Sequence, residues 1–174
     1  LAARVAYMMG RKFEEDDWAH VYCNAKGIPH REWSNLNIDV MHEGLGVEHK
    51  MVAYRSKPLI AEACGTTIMH PSATRAIRIP NVADANEAMR EILTQYADLI
   101  ADRTRKVRED FPKRDPDMRT GWLLWQVTLK EFLYFEERMT APDWGNYTAE
   151  WKEREWGTSR KGSRNLWIYE KKTS

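Results

Sequence analysis

Cysteine is scarce in this 174-residue chain: Cys23 and Cys64 are the only two, too few for a disulfide framework or a four-cysteine metal site. That scarcity suits a reducing compartment, so a cytoplasmic location is the expectation. Long apolar runs are missing as well. No stretch approaches the roughly 20 residues a helix needs to span a bilayer, so no membrane role is expected. Nor does one sign of charge dominate: 27 basic residues face 26 acidic ones, which excludes bulk charge as the sole means of binding polyanions. The nine glycines form no phosphate-cradling loop behind a strand. His20, His30 and His70 do not cluster with a serine or cysteine nucleophile, so acyl-transfer chemistry has no support. The sequence opens on Leu1 rather than methionine, which predicts a processed chain or a piece of a larger protein with a further domain elsewhere.

What is present describes one domain over residues 1–174. Apolar residues at helical spacing in "LAARVAYMMGRKF" and "EEDDWAHVYCNAKGIP" predict two helices, or one with a break. Acids from Glu14 to Asp17 suit a first turn, and Gly27 before Pro29 gives a stop near Lys26. "LNIDV" and "GVEHKMVAY" alternate apolar and polar residues around Gly44 and Gly46, the pattern of a β-hairpin. "ATRAIRIP" predicts a short strand through Ala76, Ile77 and Ile79. A capping-box-like Asp84 and Glu87 open a long helix with apolar residues from Ala88 to Val107, closed by Pro112. "GWLLWQVTL", "EFLYFEERM" and "NLWIYEK" read as strands, and residues 140–165 as loop. The fold class expected is α/β (α+β), a central mixed β-sheet flanked by helices.

The hairpin carries three costly charges among β-type residues: Asp39, Glu48 and Lys50. Residues two apart on a strand share a face, so Glu48 and Lys50 point the same way. The returning strand can set Asp39 beside Glu48. Two carboxylates left alone would repel until one took up a proton, whereas a hard divalent ion such as Mg2+ relieves the repulsion through oxygen ligands. Such an ion can bind a phosphate oxygen and acidify a water, while a lysine orients that water and balances negative charge. This is chemistry for cleaving a phosphodiester.

Asp39 followed by Glu48-His49-Lys50 on the next strand resembles the PD-(D/E)xK nuclease superfamily, which includes many type II restriction endonucleases. The element order over roughly Glu14 to Leu129 is similar to that superfamily's αβββαβ core. The resemblance implies a Mg2+-dependent DNA endonuclease. Asp39 and Glu48 would be metal ligands, the His49 carbonyl a further ligand, and Lys50 the catalytic lysine. It also implies an assisting acid from the preceding helix, for which Glu15 or Glu14 are the candidates. Ile38 stands where the motif has proline. Double-stranded DNA would be the partner, cut by a homodimer or by sequential nicking.

Two other glutamate-x-lysine patterns, Glu150 to Lys152 and Glu170 to Lys172, lack the paired strands of the first. The plain alternative for the first is an exposed cross-strand charge pair worth at most about a kilocalorie per mole. A zinc site of His42, Glu43 and His49 matches no zinc helix motif in its spacing; both histidines are expected to face solvent or be partly packed. For holding DNA, "HPSATRAIRIP" offers Ser72, Thr74, Arg75 and Arg78, and "GTSRKGSRN" offers Ser159, Arg160, Lys161, Ser163 and Arg164. Arg103, Arg105, Lys106 and Arg108 read as a solvated face that compensates the helix dipole. A second reading is a nucleic-acid-binding module without catalysis, using Trp144, Trp151 or Trp156 as a stacking platform. A third is a partner-binding domain with no nucleic acid.

Overall fold

The structure, a computed structural model, describes residues 1–7, 14–29, 38–54, 77–154 and 163–171. Its order is α1 (Ala2–Tyr7), α2 (Glu15–Lys26), β1 (Val40–His42), β2 (Leu45–Tyr54), α3 (Ala85–Asp110), β3 (Asp117–Gln126), β4 (Phe132–Arg138), a 3-10 turn (Trp144–Asn146), β5 (Tyr147–Arg154) and β6 (Ser163–Glu170). The fold is mixed α+β. The residues group into two compact units, one of residues 1–68 and 101–139, the other of residues 69–100 and 140–174.

The first unit is built on a mixed four-stranded sheet in the order β1-β2-β3-β4. β1 and β2 form a tight antiparallel hairpin with Val40 opposite Val47. Glu43 and Gly44 both have positive φ, 46° and 91°, as a two-residue primed turn requires. Gly44, not the Gly44 and Gly46 pair, therefore makes the turn with Glu43. A β-carbon on Gly44 would lie 2.8 Å from Arg114 Cβ and 3.0 Å from the Asp115 carbonyl. Gly44→Ala should cost about 2 kcal/mol through strain and crowding, read as a lowered urea midpoint with an unchanged slope. Gly46 is instead a packing position, covered by Val107 and Met118.

β2 runs parallel to β3 from the Leu45–Asp117 pair to Tyr54–Gln126. A parallel pair needs a crossover connection, and α3 lies in the chain between the two strands. Alternation then gives the sheet two faces. Val47, His49 and Met51 look toward α2, where Trp18, Ala19, Tyr22 and Cys23 are buried. Gly46, Glu48 and Lys50 occupy the other face, where Val107 of α3 packs with Ile38 and Met118. The N-terminus of α2 is fixed by a reciprocal cap, with the Glu14 N–H donating to Asp17 at 3.0 Å. Its C-terminus ends on left-handed Gly27, after Lys26.

The second unit joins the α3 residues 85–100 to the antiparallel β5–β6 ribbon. Asn86 Oδ1 accepts the Ala149 N–H at 3.0 Å. The ribbon corrects the loop-rich reading of residues 140–165: Tyr147–Arg154 is a strand, with half-buried and exposed residues alternating from Tyr147 to Lys152. The strand expected through Ala76, Ile77 and Ile79 is not formed at 77–80, and Ala76 lies outside the described residues. The Gln95 side chain takes the place of a strand neighbour there, bonding both the N–H and the carbonyl of Arg78 at 2.8 and 2.9 Å. No helix among the described residues is long and apolar enough to cross a membrane.

Candidate active site

The hairpin register decides the site. The two-residue turn pairs β1 with β2 as far as Val40 opposite Val47; Asp39 is the bend residue just before β1, and the charge of Glu48, the residue after Val47, is felt at its carboxyl. Asp39 Oδ2 accepts the backbone N–H of His49 at 2.5 Å, which holds the aspartate against β2. Glu48 is buried, and its Oε1 takes two cations: Lys50 Nζ at 2.6 Å and Arg103 at 3.1 Å. Its other oxygen, Oε2, is buried without a hydrogen-bond partner.

Burial pushes the Asp39 carboxyl up to about 7, the charges of Glu48 and then Glu15 adding to it, while the His49 N–H and the Lys50 charge pull it down. The residue is nonetheless exposed on one side. Solvent access to Asp39 damps what the shift contributes to stability. Glu15, the first residue of α2, is near enough for its charge to be felt at Asp39. The four residues expected to act together, Asp39, Glu48, Lys50 and Glu15, are therefore gathered in one region of the first unit.

Arg103 was expected on a solvated face, and this is corrected: only 6% of its surface is exposed. It comes from the buried stripe of α3, one turn before Val107, which packs against the same strand. Arg105 does remain outside, paired with Asp102 and Glu109. Arg103 shares the apolar stripe of Ile100 and Val107, which a charge enters only with a partner, and that partner, Glu48, lies on another element.

His49 is a second correction, since it is 1% exposed rather than solvent-facing. Its ring meets Tyr22 at 5.0 Å and Trp18 at 6.4 Å on the face opposite Glu48. A β-carbon on the facing Gly121 would stand 2.7 Å from His49 Cδ2. The lack of a side chain there makes room for the imidazole. Burial lowers the His49 pKa to about 4. The sign follows from the depressed value: the term is constant above about pH 6.5, and stability is lost as pH falls from there toward about 4, because the unfolded chain protonates first. The loss is about 2–3 kcal/mol. Asp39 acts oppositely, its stabilising term being full below about pH 4 and lost as pH rises through about 7. Urea midpoints measured from pH 7.5 to 4.5 on this account fall less steeply in His49→Phe than in wild type, and more steeply in Asp39→Asn.

The other candidates do not assemble. Glu43 pairs with Arg114 at 3.3 Å in the turn, so His42, Glu43 and His49 share no zinc site. Among the described residues no group of three or more His, Cys, Asp or Glu is arranged to hold a metal ion. An Asp39–Glu48 ion site therefore needs backbone or water oxygens to complete it. The oxygen-only donors and the unpartnered Glu48 Oε2 fit a hard cation of that kind. Glu150 and Lys152 form an exposed pair at 2.9 Å on β5, and Asp143 caps the 3-10 turn through the Gly145 N–H. Of the DNA-contact candidates, Ser72, Thr74, Arg75, Ser159, Arg160 and Lys161 lie outside the described residues. Arg78 is exposed. Arg164 stacks over the Trp151 ring at 4.0 Å and donates to the Ala83 carbonyl. No family model, curated protein or solved structure matches the chain.

Proposed function

We propose that the chain is a Mg2+-dependent DNA endonuclease of the PD-(D/E)xK, restriction-enzyme type, working on double-stranded DNA in the cytoplasm. The observation that carries the reading is the hairpin geometry: Asp39, just before β1, is bonded to the N–H of His49, the residue after Glu48 on β2, and Lys50 shares the face of Glu48. The order α2, β1, β2, α3, β3 around a mixed sheet supports the αβββαβ comparison, with the third strand of that core unassigned at 77–80.

In this reading Asp39 and the free Oε2 of Glu48 hold the ion, with the His49 carbonyl as a further ligand. When bound, a hard divalent ion neutralises phosphate oxygens and lowers the pKa of a water. Lys50, on the face of Glu48 and 2.6 Å from its Oε1, would donate to the attacking water and to the scissile phosphate. Glu15 contributes a second-line carboxylate beside Asp39. Arg103 offsets the Glu48 charge from the protein side, so Glu48 keeps a fixed orientation while Lys50 is engaged elsewhere. Cutting both strands calls for a homodimer or two successive nicks.

The test is incubation of the protein with mixed-sequence duplex DNA in Mg2+ and in EDTA. Fragments in Mg2+ alone support the reading, and intact DNA in both opposes it. One observation favours the binding-module reading instead: Trp144 and Trp167 are 54% and 41% exposed, with Trp167 stacked on Tyr169 at 6.3 Å on the ribbon. Under that reading DNA binding falls on Trp167→Ala, survives Lys50→Ala, and no cleavage occurs.

A further inference from the structure

On the α2 face of the sheet, behind His49, a cavity of about 320 Å3 is lined by Trp18, Tyr22, Lys26, Tyr134 and Glu136 among other residues. Its rings are inclined to one another. Trp18 and Tyr134 lie 4.8 Å apart at 50°, and Tyr22 meets Tyr134 at 5.9 Å and 63°. Parallel rings make a slot for a flat base; mutually tilted rings make a cage, which suits a compact rounded group. The cage has a carboxylate at its edge. Glu136 Oε2 is engaged by Arg119 at 3.2 Å, while Oε1 takes the Tyr134 hydroxyl at 3.2 Å and is 3.9 Å from Lys26 Nζ. That last distance is long for an ion pair.

The Lys26 ammonium is also 5.6 Å from the centre of the Tyr22 ring, and its side chain is 54% exposed. A cation of the protein's own thus rests loosely on the aromatic wall and the acid together. Such walls attract a cation through the ring quadrupoles and do not demand hydrogen bonds from it.

We infer that this cavity binds an organic ammonium group, with Lys26 as an internal occupant that the ligand displaces. Glu48 and Lys50 face the other side of the sheet, so the inference is independent of DNA cleavage. A free methylammonium compound and a methylated lysine side chain present the same chemistry. The probes are choline, its neutral carbon isostere dimethylbutanol, and a short peptide bearing trimethyllysine, each titrated while saturation transfer to its methyl protons is followed by NMR.

Choline should bind saturably, and the isostere about fivefold or more weakly, the scale of one cation–π contact. Lys26→Ala, at an exposed position, should tighten choline by about threefold, and Glu136→Gln, which keeps the shape of the side chain, should weaken it by about fivefold. Circular dichroism of each variant verifies the fold. The tighter of choline and the peptide names the source of the group, and either order upholds the cage. Equal affinity for choline and its isostere, or no saturable choline binding by wild type and Lys26→Ala alike, overturns the inference.

Discussion

Lys50→Ala is expected to slow Mg2+-dependent DNA cleavage by about a hundred- to a thousandfold, the range for removing one group that orients or stabilises charge at a reacting centre. The fold should tolerate the change. Lys50 retains access to solvent, with 19% of its side chain exposed, and Glu48 keeps Arg103 as a buried partner at 3.1 Å. The loss should therefore appear in the single-turnover rate, with melting temperature and the concentration of Mg2+ needed for half-maximal rate nearly unchanged. A variant that cuts as fast as wild type removes Lys50 from the chemistry. Lys50→Arg should not restore the rate, because a guanidinium is a planar fork and not a compact ammonium.

The second large effect is on stability. Arg103 and Glu48 are both nearly sealed from water, with side chains 7% and 9% exposed. Breaking a buried pair by removing one partner costs about 3–5 kcal/mol, because the other charge is left uncompensated. Lys50 still contacts Glu48 and reaches solvent, so Arg103→Met should fall at the lower end, about 3 kcal/mol, as read from urea unfolding. Arg103→Met with Glu48→Leu should recover most of that loss, since an apolar pair of similar size can replace a buried ion pair. Recovery in the double variant separates a charge penalty from a packing defect: if the double is as unstable as the single, shape and not charge is what Arg103 supplies.

Local pattern made much of the fold legible. The alternation in "GVEHKMVAY" marked β2, and the apolar spacing from Ala88 to Val107 marked α3 with its end at Asp110. The hairpin was legible for the same reason, and its turn fixes which residues of the two strands oppose one another as far as Val40 and Val47. Three features were hidden. β5 was masked by Gly145 and by its polar residues, because a two-stranded ribbon with one exposed face needs few apolar side chains. The strand expected through Ile77 and Ile79 is not formed at 77–80, where a glutamine from the helix, 17 positions away, bonds both backbone groups of Arg78. Arg103 was taken for surface because a charge on a helix usually is; its burial depends on Glu48, and pairing across 55 positions is a property of tertiary structure.

His49 shows how neighbouring residues on one strand divide the work. Its backbone N–H holds Asp39 on the edge of the sheet, while its side chain fills the aromatic core on the opposite face. The site is thus anchored to the core through a single residue. The electrostatics point the same way, with Asp39 raised toward neutrality by burial and then by the charge of Glu48, which Lys50 and Arg103 hold by one oxygen.

A titration with Mn2+, followed by the loss of the free-ion signal in electron paramagnetic resonance, tests most directly whether Asp39 and Glu48 make one ion site. Wild type should take up one ion per chain at neutral pH, and Asp39→Asn, a change at an exposed position, should abolish that uptake without unfolding the protein. Equal uptake by wild type and Asp39→Asn, or none by wild type, would contradict the account.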